Sequence, residues 1–457
     1  MLKPLTTQIV GSYTKPDWLY RRDRAFRLDG SNWRVGPDYL DMARRDAARL
    51  AIDEQERAGL DLITDGECQR PAMHRPVQEA IAREFMQRNP QVEIVLRPPA
   101  ESYGAALQQA LREAVIGRLP DVGYFGLDTI RTLTDRGNII DLNRFLALEP
   151  DVAALGYNDG NLGLARYYGR QTAIPFCISL PIAYFNKDLV RKVGGDPDKL
   201  PSDWNGIIAL GARIAALGDG MSGLWLRYSG DIWYWQALVE SFGGKLMNAA
   251  ETDIDFQGEH GRRALEVLAR AADEAKMPDL SYNQARQAFV AGKLGIMMAS
   301  SSYLANVGEQ VGSAFSVGTG PFPVSSELAR LPAGGNALVM FTDDEAKQDA
   351  AWRYIKFATG PVAQEIMVRE TGYMPIDPDL FERVGPLGDF LRDNPNYAVT
   401  ARQLPLMTGW YNFPGPNGLK ASRLIVEQLR RVVQRSAKAG EVLPVMAEIT
   451  RKTLAER

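Results

Sequence analysis

Cysteine and histidine are scarce, with two of each in 457 residues. Cys68 and Cys177 sit in no CxxC, and His74 and His260 lie far apart in sequence. A zinc site built from Cys and His is therefore disfavoured, as is a Cys/His nucleophile pair. Cys177 reads as a small buried residue and Cys68 as a loop thiol. A disulfide between them has no positive support. No apolar run approaches the ~20 residues that a membrane span needs. Charge of one sign is missing too: 53 Lys and Arg against 56 Asp and Glu leave a net −3, which speaks against nucleic-acid binding through a basic surface. The opening MLKPLTTQIVGSYTKPDW has no apolar stretch, so no secretory leader is visible. Internal repeats and low-complexity tracts are absent. With 45% hydrophobic and 24% charged residues, the chain reads as globular and long enough for two or three domains.

The patterning begins with a short strand at TTQIVGS (6–12) and a long helix over 38–58, with Asp38 as a cap and Gly59 as its stop. LDLITDG then reads as a buried strand, 75–88 as a helix, VEIVLRP (92–98) as a strand, ALQQALREAVIG as a helix and PDVGYFG as a strand. This alternation is the mark of an α/β layer with parallel strands. The run AIPFCISLPIAYFN (173–186) is a long strand whose two prolines suit an edge or a crossover. Helices follow at PSDWNGIIALGARIAALG, capped by Ser202 or Asp203, and at DIWYWQALVESFGG. Next come helix, strand, Ser-rich turn and helix over YNQARQAFVAGKLGIMMASSSYLANV. The last third holds a strand at NALVMF, a helix at DEAKQDAAWRYIKFAT, the loop TGYMPID and a helical region from about 417.

Several motifs stand in a fixed order: AREFMQRNPQVEIVL, GRLPDVGYF, PIAYFNKDLVRKVGGDP, PSDWNGI, SSSYLANV, AGGNALVM, ETGYMPI and NGLK. With them the chain from about 74 to 457 resembles the family 1 extracellular solute-binding proteins of ABC importers, which include the maltose- and glycerol-3-phosphate-binding proteins. The resemblance implies an α/β, two-lobed periplasmic-binding-protein fold with a hinge and a central cleft. It implies a non-enzymatic monomer that captures a sugar, polyol or glycerol-phosphate-like solute and delivers it to membrane permease subunits. It implies neither cofactor nor nucleic-acid partner. The implied location is the periplasm; the lack of a visible leader leaves cytoplasmic retention as the alternative. The expected lobes are 59–178 with 320–372, and 187–318 with 373–457.

Residues 1 to about 70 are similar to something else. TTQIVGSY and EQERAGLDLITDGECQR match the start of the catalytic barrel of cobalamin-independent methionine synthase. That resemblance implies homocysteine contacts at Gly11, Ser12 and Glu67. The pattern stops after one and a half βα units and no His/Cys constellation follows, so 1–58 reads as a βα appendage without a catalytic role. A methyltransferase-related or non-functional fusion product is the alternative. LDLITDG is then expected to serve as the opening strand of the first lobe.

A solute site needs polar partners for hydroxyls and aromatic faces for C–H surfaces. The resemblance and the local pattern together nominate Tyr103, Ser179, Trp233, Ser301, Ser302, Gly334, Gly335, Tyr373 and Lys420. Each has a plainer use. Tyr103 is also a loop tyrosine, Ser179 a strand serine, one of the three serines at 300–302 a helix cap, and the glycine pair a turn before NALVMF. Of Trp233 and Trp235, one is expected on the cleft and one in the core, with Trp233 the better match for the cleft. Tyr373 lies on a loop that faces the cleft in relatives. Lys420 stands where the glycerol-phosphate branch carries an arginine. It keeps the positive charge without the bidentate fork, which leaves neutral sugars open. Arg423, one turn on, is positioned to supply a similar charge.

Overall fold

The structure is a computed structural model that describes residues 19, 34–57, 75–100, 102–377, 380 and 386–456. TTQIVGS, LDLITDG, Gly11, Ser12, Glu67, Cys68 and His74 lie outside the described residues. The chain divides into two compact units, 1–106 and 107–457.

In the first unit the expected long helix spans Pro37–Arg57. Its small residues Ala43, Ala47 and Ala48 are buried together with Leu19, and Val35 and Leu40 pack against them. Met42 and Leu50, apolar residues of the same helix, are exposed. The buried stripe is built from alanines, which allow close approach, and not from the long side chains. The helix Arg75–Arg88 forms as expected, with Ile81, Ala82 and Phe85 buried. VEIVLRP is not a strand. It holds one bridge residue, Leu96, and none of its residues is fully buried, so its apolar alternation faces no sheet that would fix it.

The second unit is organised by two sheets. Seven strands define them: β1 (Val122–Gly126), β2 (Ile174–Ser179), β3 (Pro181–Asn186), β4 (Ser222–Leu226), β5 (Leu294–Ser300), β6 (Val317–Pro321) and β7 (Gly334–Met340). The first sheet has the order β1-β7-β2 and the second β4-β5-β3-β6. Among the described residues the parallel layer expected from the alternation does not form. Both pairs of the first sheet are antiparallel, and in the second only β4 and β5 run parallel. The cause is topological: β7 lies between β1 and β2 but comes from a later pass of the chain, so adjacent strands are not linked by single crossover helices.

The run 173–186 breaks at Leu180 into β2 in one sheet and β3 in the other. Every residue of both strands is buried. Pro175 lies on an edge strand, and Pro181 opens a central one, where a missing N–H costs least. A second crossing leads from β6 to β7. A third follows Met374, which exchanges backbone hydrogen bonds with Ile178 of β2 at 2.7 and 3.0 Å. Helices close the faces. Trp204–Ala215 starts at Asp203, whose carboxylate accepts from the Gly206 amide. Glu345–Thr359 packs on the first sheet and Glu259–Asp273 on the second. The helical C-terminus consists of Gly418–Val433 and Ala439–Ala455, packed on each other.

Candidate functional site

The crossing at Leu180 brings several of the nominated residues together. Ser179 ends β2 and pairs with Gly334 at the start of β7. A Cβ on Gly334 would sit 2.7 Å from the Ser179 hydroxyl and 2.9 Å from Cζ2 of Trp233, so Ser179, Gly334 and Trp233 converge at one point. Gly335 has φ +119°. The pair is thus the first part of the strand itself, not a turn before it.

Trp233 opens the helix Trp233–Ser241 and is 1% exposed. Its indole N–H donates to the Pro332 carbonyl at 3.0 Å, and its ring stacks against Trp410 and Tyr234. Trp235 packs edge-on against Phe256 in the core. Both rings are buried, and it is Trp233, the ring expected on the cleft, that lies beside Ser179 and Gly334.

Ser301 is fully buried and bound to the crossing. Its N–H donates to the Leu180 carbonyl, and its hydroxyl accepts from the Leu180 N–H at 3.3 Å. Ser300 is the cap, accepting from the Ser302 N–H, and the Ser302 hydroxyl bonds that of Ser300 at 2.9 Å. The amide of Gly372 donates to the Ser302 carbonyl and that of Met374 to Ile178, which sets the half-buried Tyr373 between the serine turn and β2. Tyr103 is the half-buried first residue of the helix Tyr103–Val115, in the first unit. The Lys420 ammonium pairs with Glu456 at 2.6 Å and the residue is half-exposed, so its charge is already committed. Arg423 is exposed.

Other polar groups at this place carry no motif. Asp128 follows β1, next to Leu127, whose amide donates to the Gly335 carbonyl at 3.1 Å. Asp128 Oδ1 is shielded from solvent without a hydrogen-bond partner among the described residues, although the residue as a whole is only partly buried. Arg227 and Asp231 form an ion pair from the side of the second sheet. The Arg227 guanidinium lies over the Trp233 ring at 5.3 Å and the Tyr282 ring at 5.7 Å, a cation–π arrangement. Arg227 Nε, the Tyr282 hydroxyl and Asn412 Nδ2 are likewise buried without a partner among the described residues. Buried polar atoms of this kind are rare, because each costs ~1–3 kcal/mol.

Burial, and then the negative charge of Asp231, push the Asp128 carboxyl up to about 7, against the opposing pull of its own backbone amide and Arg227. The sign of the consequence is fixed by linkage. Between pH ~4, where the unfolded chain releases this proton, and about 7, the folded protein still holds it. Its contribution to stability is full below that window and is lost as pH rises through it. Glu240, raised to about 7 mainly by burial, acts with the same sign. Asp128→Asn should therefore reduce, without abolishing, the fall of Tm across this window. Unchanged slopes for wild type and variant in a pH series of thermal melts would show that Asp128 is not perturbed.

Among the described residues no group of three or more His, Cys, Asp or Glu is placed to hold a metal ion, and no helix is long and apolar enough to cross a membrane. Cys177 is buried and unpaired, and its thiol is pushed up to about 12 by burial. The site thus assembles hydroxyls, a carboxylate, a guanidinium and indole faces around a crossing between two sheets. Such a set can bind a small polar solute.

The pattern of the family described as bacterial extracellular solute-binding protein matches residues 80–398. The chain belongs to that family. The sn-glycerol-3-phosphate-binding periplasmic protein UgpB of Yersinia pestis bv. Antiqua is 26% identical over 295 residues, covering 60% of this chain and 64% of that protein. UgpB of Escherichia coli O6:K15:H31 is 25% identical over 251 residues, covering 52% and 56%. The chain thus spans less than two thirds of the length of these curated relatives. Among solved structures, UgpB from Mycobacterium tuberculosis in complex with glycerophosphocholine superposes with a TM-score of 0.74 at 21% identity, covering 83% of this chain and 94% of that one. The cyclic α-maltosyl-1,6-maltose binding protein from Arthrobacter globiformis superposes with 0.70 at 19% identity, covering 84% and 97%. These likenesses establish the two-lobed α/β fold.

Proposed function

We propose that this solute-binding protein captures a sugar, polyol or glycerol-phosphate-like solute in the cleft beside the Leu180 crossing and delivers it to the permease subunits of an ABC importer, acting as a periplasmic monomer without enzymatic activity. The observation that carries this reading is the convergence of Ser179, Gly334 and Trp233 with the buried Oδ1 of Asp128 and the Arg227–Asp231 pair. Hydroxyls of the solute meet the serine and the carboxylate, and its C–H faces meet the indoles. Ser302, Gly335 and Tyr373 border the same crossing. The lobes are assigned as 59–178 with 320–372, and 187–318 with 373–457. Lys420 serves an anionic solute only if it leaves Glu456, so the neutral members of the class are favoured. Residues 1–58 lie ahead of the family match. We read them as the methionine-synthase-like appendage, with no ligand of its own.

A thermal-shift screen over maltose-type sugars, polyols, glycerol-3-phosphate and glycerophosphocholine tests this. A ligand at 100 times its Kd adds ~2.7 kcal/mol of stability, enough to move Tm by several degrees. A screen in which no member of the three classes shifts Tm would overturn the reading.

A further inference from the structure

We infer that Arg131 and Glu251 form a latch that joins the two lobes at one end of the cleft and sets their closed geometry. Arg131 stands on the helix Ile130–Asp135, which continues from β1 of the first sheet. Glu251 lies in the turn between Met247 and Ile254, which bridge to each other. This turn follows the helix Trp233–Ser241, whose Tyr234 hydroxyl reaches the Ile182 carbonyl of β3 in the second sheet. The two residues are 120 positions apart in sequence, and their side chains meet as a fork. Nη1 and Nη2 of Arg131 donate to Oε1 and Oε2 of Glu251 at 2.7 and 2.6 Å. This is the bidentate geometry that only arginine provides.

Each partner has further contacts, and Arg131 is also held from across the joint. On the first side, the Tyr168 hydroxyl donates to Asp135 at 2.9 Å, while Arg131 Nη2 reaches the Tyr168 oxygen at 3.4 Å. On the second, the Tyr411 hydroxyl donates to Glu251 Oε1 at 2.7 Å, and the Asn412 carbonyl accepts from Arg131 at 3.1 Å. Residues 409–411 are tied to the helix Trp233–Ser241 through Gln236, which donates to the Gly409 carbonyl and accepts from the Tyr411 amide. The Arg131 side chain is 9% exposed and that of Glu251 35%, so solvent screens this pair less than a surface one. Tyr168 and Glu251 both carry positive φ, +54° and +53°. Tyr168 takes it in the two-residue turn with Gly169 that joins Arg166–Tyr167 to Arg170–Gln171, so Tyr168 and Glu251 are both carried on tight turns. A surface ion pair needs none of this support. A joint that must form in one arrangement of two moving bodies does.

The latch is built from protein groups alone, so its test needs no solute and stands apart from the identity of the ligand. Spin labels at Asp349→Cys and Glu266→Cys, on the helices Glu345–Thr359 and Glu259–Asp273 that pack on the first and second sheets, report the distance between lobes by double electron–electron resonance. Cys68→Ser removes one native thiol, and Cys177 is buried. The protein with the latch intact should give one narrow distribution. Glu251→Ala should lengthen the mean distance and broaden it, and Tyr411→Phe should broaden it less. Glu251→Gln, which keeps the side-chain shape and loses the charge, should fall between the wild type and Glu251→Ala, which ties the distance to the ion pair. Circular dichroism confirms that each variant is folded. Unchanged distributions in folded Glu251→Ala and Tyr411→Phe would overturn the latch.

Discussion

Gly335→Ala should be strongly destabilising. Gly335 holds φ +119°, where side chains are strained whatever the space around them. An added Cβ would also lie 2.0 Å from the Cys177 carbonyl oxygen and 2.9 Å from its carbon. Both are backbone atoms of β2, so no side chain can turn away to relieve the overlap. Relief requires β2 and β7 to part, and β7 is the central strand of the first sheet. A strain of about 1–3 kcal/mol for the dihedral then adds to about 1–3 kcal/mol for overpacking. That is a large share of the ~5–15 kcal/mol that holds a native protein together. Chemical denaturation with urea should show a lower midpoint with little change in slope. Gly308→Ala is the control. Gly308 lies exposed in the helix Leu304–Val311 with open space around it, and there alanine should be neutral or stabilise by about 0.5–1 kcal/mol. Equal midpoints for both variants would mean that β2 and β7 are not so close.

The same glycine shows how far the sequence could be read. Read from sequence, the glycine pair of AGGNALVM lets a ligand approach the backbone, and in the structure it is a backbone carbonyl that lies against Gly335. That the near neighbour is the Cys177 carbonyl depends on the pairing of β7 with β2, in which Gly335 faces Ile178, and no local pattern carries that. Local signals served well where the chain writes its own structure. The Asp203 cap, the helices at 75–88 and 204–215, and the two prolines of the crossover all follow from nearest neighbours. They failed where the partner decides. VEIVLRP has the composition of a strand and faces no buried layer. The parallel order expected from the alternation gave way to strands inserted from later passes. Asp128, Arg131, Arg227 and Glu251 belong to no motif, because their chemistry exists only once the crossings bring them together. Lys420 shows the converse. Its motif is legible, while its pairing with Glu456 could not be foreseen.

Trp233→Ala tests the residue at which these two kinds of information meet. Read from sequence, truncation removes a contact face for solute and leaves the core intact. The structure gives the ring a second duty. It is 1% exposed, packs against Trp410 and Tyr234, supports the Arg227 guanidinium and donates its N–H to the Pro332 carbonyl. Removing it opens a cavity between the helix Trp233–Ser241 and the start of β7, frees the Pro332 acceptor, and takes the aromatic face from beneath a buried cation. Large-to-small changes of a buried tryptophan cost about 3–5 kcal/mol, so the variant should melt well below the wild type. Trp233→Phe keeps much of the volume and loses the N–H, and should cost only about 1–2 kcal/mol. The two variants separate packing from recognition. If Trp233 serves the solute as well as the core, folded Trp233→Phe binds more weakly than its small loss of stability explains, because its smaller ring contracts the surface beside Ser179 and Gly334. Calorimetric titration at a temperature where both wild type and Trp233→Phe are fully folded measures this. Wild-type affinity in Trp233→Phe would confine Trp233 to the core and move the aromatic wall of the site to Trp410, and a wild-type Tm in Trp233→Ala would contradict the packing itself.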